Sequence, residues 1–237
     1  MTQLDSSLQA KMDHAIGLLQ EALETYGEVT FANRLGAEDV VITDLIGRFV
    51  RGIEIFSLDT GRLPEETLQL LAKMEQRYEL KVKVFYPDAT QLEAYVNQHG
   101  VNAFYQSVEL RKGCCHVRKV EPLKRALAGK QAWVTGIRRE QAVTRGTIEF
   151  SERDEANGLQ KINPLADWSE KEVWAYIKAN QIPYNALHDQ HYPSIGCSPC
   201  TRSIAMGEDV RAGRWWWENP ELKECGLHPA SSLKKPS

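Results

Sequence analysis

Apolar side chains recur at Leu8, Met12, Ile16, Leu19 and Leu23. That three-to-four-residue period predicts a helix over 6–26 with one buried face. The pattern then switches to a short β-rich run, "EVTFAN". "LGAEDVVITDLIGRFV" follows as a glycine turn opening into a helix, with Glu38 and Asp39 in the first turn, where the helix dipole favours acids. "IEIFSLDTG" reads as a second strand, and "LPEETLQLLAKMEQRY" as a helix with Pro64 at a tolerated first-turn position. "KVKVFYP" and "ATQLEAYVNQHG" repeat the strand–helix unit. "VNAFYQSVEL" and "VRKVEPLKRALAG" look helical, and "QAWVTG" is another strand. In "ADWSEKEVWAYIKANQIP", Ser169 and Glu172 make a capping-box pair, and Pro183 follows the helix end.

Strand and helix alternate at the spacing of α/β proteins. The expected fold is a Rossmann-like parallel sheet with helices on both faces and right-handed crossovers. In such sheets ligands bind beyond the carboxyl ends of the strands. The turns after "TFAN", "FSLD" and "WVTG" lie on that edge. From about Gly207 the pattern becomes irregular, so 1–206 is expected to form the α/β domain and 207–237 a flexible C-terminal segment.

Composition adds limits. The chain has 237 residues, 42% of them hydrophobic, which suits one well-cored domain with an appended segment. The formal net charge of -3 gives no reason to expect a nucleic-acid or membrane surface. No apolar run approaches the roughly 18 residues of a membrane span. The N-terminus lacks the basic and apolar regions of a secretion signal, so the expected setting is the cytoplasm. Basic residues nevertheless collect at Arg111–Lys119, Arg138–Arg145 and Arg202–Arg214, around the cysteines. That local excess points to an anionic ligand.

Four of the five cysteines form two pairs, Cys114 with Cys115 and Cys197 with Cys200. Neighbouring residues are about 3.8 Å apart at Cα, shorter than the roughly 4.4–6.8 Å of a relaxed disulfide. Adjacent cysteines are therefore better placed to direct thiolates at a third party. The C-x-x-C pair is compatible with half a zinc site, a redox dithiol or part of an iron–sulfur site. Adjacent cysteines are unusual in structural zinc sites, and nearby cations would offset the negative charge of a four-thiolate cubane. The ligand types thus favour an iron–sulfur cluster over zinc or unligated thiols. Cys225 stands alone in "KECGLH". Taken alone, it is equally a stray surface thiol or a nucleophile activated by Lys223 and His228.

"CCHVRKVEPL", "GCSPCTR", "GRWWWE" and "KECGLH", with "LGAEDVVITDL", "SLDTGRLPEET" and "PLADWSEKEVWAYI", resemble the signatures of assimilatory adenylylsulfate (APS) reductases of the bacterial and plant type, within the phosphoadenylyl-sulfate (PAPS) reductase family. The resemblance covers about Val29 to His228. It implies an adenine nucleotide alpha hydrolase-like fold and a [4Fe–4S] cluster on Cys114, Cys115, Cys197 and Cys200. It also implies that Cys225 is the nucleophile, with thioredoxin or a glutaredoxin-like protein as reductant. The implied reaction turns adenylyl sulfate into sulfite and AMP through an S-sulfocysteine on Cys225. Lys119 would stand between cluster and sulfate. Arg211 and Arg214 match the arginines that meet the phosphosulfate. Gly36 and Ala37 resemble the phosphate loop; Leu58, Gly61 and Arg62 the segment beside the adenosine; Arg138, Arg139 and His228 further substrate contacts. A homo-oligomer is compatible with the sequence.

One position departs from the family. Where its phosphate loop commonly carries serine before the glycine, this chain has Asn33, Arg34 and Leu35. That leaves APS, PAPS or dual use to be decided by kcat/KM, although all four cluster cysteines are present, which favours APS. A more distant alternative is an iron–sulfur ATP pyrophosphatase modifying tRNA, but its S-G-G-x-D-S loop is absent. A Cys₄ zinc protein binding nucleic acid is disfavoured by the net charge.

Overall fold

A computed structural model describes residues 5–141 and 148–219. Its centre is one sheet of six strands, ordered β3-β2-β1-β4-β6-β5. The strands are β1 Val29–Ala32, β2 Glu54–Leu58, β3 Val82–Phe85, β4 Ala132–Val134, β5 Ser151–Asp154 and β6 Leu159–Ile162. All neighbours pair in parallel except β5, which runs antiparallel to β6 at the edge. The helices are α1 Ser6–Tyr26, α2 Ala37–Phe49, α3 Glu65–Tyr78, α4 Ala89–His99, α5 Val108–Cys115, α6 Glu121–Leu127 and α7 Glu170–Ala179.

Alternation along the strands sorts the two cores. Ile55 and Val134 face a core made with α1, α2, α3 and α7. Their neighbours Phe56 and Trp133 face a second core with Leu123, Ala126 and Leu127 of α6. This period of two is what a sheet covered on both faces requires. The predicted alternation of strands and helices is therefore present, with the predicted capping box of α7: Ser169 Oγ accepts from the Glu172 amide (3.2 Å) and Glu172 accepts from the Ser169 amide (2.7 Å).

The β5–β6 hairpin is the element that hydrophobic patterning does not reveal. Apart from buried Leu159 and Ile162 its strands are polar, as an edge pair with one wet face can be. The available signal is Asn157-Gly158, with Gly158 at φ +69°, where a left-handed residue is needed to reverse the chain. Asp154 fastens the turn, accepting from the Ala156 amide (3.1 Å) and from Trp133 Nε1 (3.1 Å). The sheet is thus mixed rather than wholly parallel.

Helix α2 is buried over most of its length and packs against α1, α3 and α7. Its Asp44 is fully buried and accepts from Tyr78 Oη (2.6 Å), Tyr176 Oη (2.7 Å) and Arg48 Nη1 (3.1 Å). Burial, together with the Asp44 carboxylate, pushes both phenols above their ordinary range, so they remain donors. One carboxylate therefore ties three helices together. Tyr78 packs against Gly47, where an added Cβ would come within 2.9 Å of the ring. In an open helix, Gly→Ala stabilises by about 1 kcal/mol. Here Gly47→Ala is expected to destabilise by about 1–3 kcal/mol through overpacking. Urea denaturation checks it, and a gain in stability would show that Tyr78 yields freely.

Candidate active site

The four paired cysteines come together from distant parts of the chain. Ser107 caps α5, its side chain accepting from the Leu110 amide, and the helix delivers Cys114 and Cys115 at its last turn. A π-helical turn, His116–Val120, carries Arg118 and Lys119 directly after them. Cys197 caps the short 3-10 turn Ser198–Cys200, and Cys200 ends it. Thr60 Oγ1 lies 3.2 Å from Cys197 Sγ, and the Ser198 amide donates to the Arg62 carbonyl (2.8 Å). The turn is thereby fixed to the loop after β2. Tyr105 Oη donates to the Pro199 carbonyl (2.8 Å) on the other side.

All four thiols line one small cavity with Phe104, Arg111, Arg118, Lys119 and Trp215. None of the four is in a disulfide. Burial pushes the Cys200 thiol up to about 12, with the Cys197 thiolate adding to the effect. Burial also raises Cys114, partly offset by Arg118. At Cys197 burial acts in the same sense, but Lys119, the Thr60 hydroxyl and Arg214 outweigh it and hold that thiol below its ordinary value. These are soft donors in a dry, cation-walled space, the set here able to hold a thiolate-bound metal centre.

A clasp closes this cavity. Arg111 is fully buried and pairs through two nitrogens with Glu218 (2.9 and 2.7 Å). The Arg111 and Arg214 guanidinium carbons lie 4.5 and 4.9 Å from the Trp215 ring centroid. The Trp215 amide donates to the Cys200 carbonyl (3.1 Å), and Thr201 bridges to Arg214. Residues 207–219, expected to begin the flexible segment, thus fold onto the α/β domain as far as Glu218. Sequence spacing gave no sign of the Arg111–Glu218 pair, whose members are 107 residues apart.

A second, larger cavity of about 850 Å³ opens at the carboxyl ends of β1, β2 and β4. This is the point where strand order reverses between β1 and β4, as expected for a ligand site in an α/β sheet. Gly36, Ala37, Leu58, Arg138, Lys119, Arg211 and Arg214 all line it. Lys119 and Trp215 border both cavities. Arg214 is buried and donates to the Ile195 carbonyl (3.1 Å). Its guanidinium rests on Gly196, where any Cβ would overlap it.

Other expected residues are turned elsewhere. Arg62 donates to the Val101 carbonyl (2.7 Å) and Asn102 Oδ1 (3.2 Å), and borders the cysteine cavity rather than the large one. Gly61, at φ +68°, packs against Arg118. Arg139 donates to the Ile148 carbonyl (2.7 Å) and covers Phe150, away from the large cavity. Arg138 is buried between Glu38 (2.7 Å) and Glu140 (2.6 Å), so its charge is already matched. Gly36 does not offer its amide to the cavity: that N–H donates to Asp39 Oδ2 (3.1 Å). Cys225 and His228 lie outside the described residues.

Comparison with known proteins gives this geometry a context. The chain is 58% identical over 214 residues to an adenosine 5'-phosphosulfate reductase of Allochromatium vinosum, covering 90% of this chain and 84% of that protein. It is 54% identical over 227 residues to the Burkholderia cepacia protein of the same name, covering 96% and 91%. Among solved structures, a phosphoadenylyl-sulfate reductase from Candida auris in a phosphate complex superposes with a TM-score of 0.70. It is 26% identical, covering 85% of this chain and 98% of that one. An NH₃-dependent NAD synthetase from Campylobacter jejuni, 13% identical with a TM-score of 0.54 over 76% and 75% of the two chains, shares the fold alone. With residues 28–203 matching the phosphoadenosine phosphosulfate reductase domain, the chain belongs to that family.

Proposed function

We infer that this protein reduces adenosine 5'-phosphosulfate to sulfite and AMP with electrons from a protein dithiol such as thioredoxin. The observation that carries the reading is the shared wall. Lys119 and Trp215 bound both the four-cysteine cavity and the nucleotide-sized cavity at the strand ends. Relatives named for this activity, at 58% and 54% identity, support it.

The reaction proceeds in two displacements. The Cys225 thiolate attacks the sulfur of the phosphosulfate. A sulfur–sulfur bond forms, the bridging sulfur–oxygen bond breaks, and AMP leaves with the electron pair. A reductant thiolate then attacks Cys225 Sγ and releases sulfite. The reductant's second thiol resolves the mixed disulfide, returning the Cys225 thiolate and an oxidised dithiol. The two electrons come from the dithiol. Charge neutralisation of the leaving phosphate and of the sulfate falls to Lys119 and Arg214, which border the large cavity. Positioning of Cys225 supplies the rest.

The cysteine site fits a [4Fe–4S] cluster on Cys114, Cys115, Cys197 and Cys200. Four soft thiol donors surround one cavity. Arg118 Nε and Trp215 Nε1, from two residues of that cavity wall, are buried without hydrogen-bond partners. Donors of this kind suit a sulfide-bearing anion. When bound, the cluster supplies fixed negative charge and a rigid frame for Lys119 and the adjoining loops.

Three measurements test this reading. Turnover with APS is expected to exceed turnover with PAPS at least about tenfold in kcat/KM, a difference of about 1.4 kcal/mol in transition-state binding; equal values would remove the substrate assignment. Cys225→Ser is expected to abolish sulfite release while nucleotide affinity stays near wild type. Wild-type protein incubated with APS without reductant should gain SO₃ at Cys225 by mass spectrometry, and a fully active serine variant would overturn the mechanism. Purified protein is expected to contain about four iron and four sulfide per chain, whereas one zinc per chain would exclude the cluster.

A further inference from the structure

The loop after β1 is the feature that the reaction leaves unexplained. In glycine-rich phosphate loops generally, successive backbone amides face the bound anion. Here they are turned onto the chain's own side chains. The Leu35 amide donates to Asn33 Oδ1 (2.8 Å). The Arg34 and Gly36 amides both donate to Asp39 Oδ2, each at 3.1 Å. Leu35, at φ +62°, takes the left-handed conformation that turns successive N–H groups inward. A non-glycine residue holds that conformation only where its surroundings enforce it. The loop is a nest for an anion, and the anion is Asp39.

The other carboxylate oxygen points to a second element. Asp39 Oδ1 is buried and has no hydrogen-bond partner. It lies against Gly136, in the loop after β4, where a Cβ would come within 2.6 Å. Asp39 itself is 1% exposed, yet its residue lines the large cavity. Burial pushes its carboxyl up to about 6, with Arg34 acting against that and Glu38 with it. One side chain therefore fixes the loop after β1 and abuts the loop after β4, on the two strands that flank the switch point.

We propose that Asp39 is a positioning residue for nucleotide binding: it fills the nest made by residues 34–36 and so sets the shape of the cavity floor. The substrate anion is then met by the first turn of α2, Lys119 and Arg214, and the amides of Arg34 and Gly36 are not its donors. Asn33 and Arg34 belong to this arrangement. Asn33 holds the central amide, and the Arg34 Nε stands 3.8 Å from Asp39 Oδ2 at the cavity edge. Gly136 is the second member of the device, because only a residue without a side chain leaves room for the carboxylate.

This inference rests on the reading that the cavity takes APS, and wild-type turnover of APS by the full-length holoprotein tests that reading separately. Given turnover, Asp39→Ala is expected to raise KM, and the Kd for AMP, by about 10- to 100-fold, as for loss of hydrogen bonds to a charged acceptor. kcat should stay within about threefold, since no reacting group is removed. Asp39→Asn keeps one oxygen for both amides and is expected to remain within about fivefold of wild type in KM. Gly136→Ala should raise KM as Asp39→Ala does, by displacing the carboxylate. A folded Asp39→Ala protein with wild-type KM and AMP affinity would overturn the proposal, as would an asparagine variant as impaired as the alanine one. Should Asp39→Ala fail to fold, wild-type AMP affinity in Gly136→Ala would overturn it equally.

Discussion

Buried positive charge is the constraint around which this molecule is arranged. A guanidinium withdrawn from water needs compensation, or its burial costs several kcal/mol. Four arginines are nearly inaccessible: Arg111, Arg118, Arg138 and Arg214. Arg111 is met by Glu218, and Arg138 by Glu38 and Glu140. Arg118 and Arg214 have no carboxylate in ion-pair range among the described residues. They donate to the Thr60 and Ile195 carbonyls instead. Arg118 faces the cysteine cavity, and Arg214 the large one. Their uncompensated charge lies where a thiolate cluster and an anionic nucleotide would supply the missing negative charge. On the proposed reading function and stability are linked, because such ligands would complete the electrostatics of the fold.

The two cavities are not independent. Lys119 and Trp215 belong to both, and Trp215 is held by stacking against two guanidinium groups and by the Cys200 carbonyl. The Arg111–Glu218 pair joins the helix bearing Cys114 and Cys115 to the chain just past the tryptophans. Whatever orders the cysteine site therefore also orders the wall that Lys119 and Trp215 form in the large cavity. The phosphate side shows a different solution to the same problem. There a carboxylate, Asp39, occupies the amide nest, so on the proposed reading the positive pole of α2, Lys119 and Arg214 define where an anion would sit.

Much of the architecture was legible. Periodic apolar positions marked α1, α2, α3 and α7, and the glycine, proline and capping signals located their ends. The β5–β6 hairpin was not legible from hydrophobicity, because an edge pair with one wet face needs few apolar residues. Its turn residues, Asn157 and Gly158, carried the information instead. The grouping of four cysteines with cations was legible as chemistry. The turning of Arg62 and Arg139 away from the large cavity was not, because an arginine's reach exceeds what position along a strand can specify.

By itself the sequence determined the strand–helix alternation, the edge of the sheet that carries the site, and the soft-donor character of its two cysteine pairs. These follow from local periodicity and residue type, which need no partner to be read. Tertiary structure alone decided which cations are neutralised and which remain open, and which amides of the loop after β1 face inward. Those outcomes depend on groups such as Arg111 and Glu218, or Asp39 and Gly136, that meet only when the sheet closes. Distance in the chain carries no information about them, whereas burial in a low-dielectric interior makes a met charge strong and an unmet one costly.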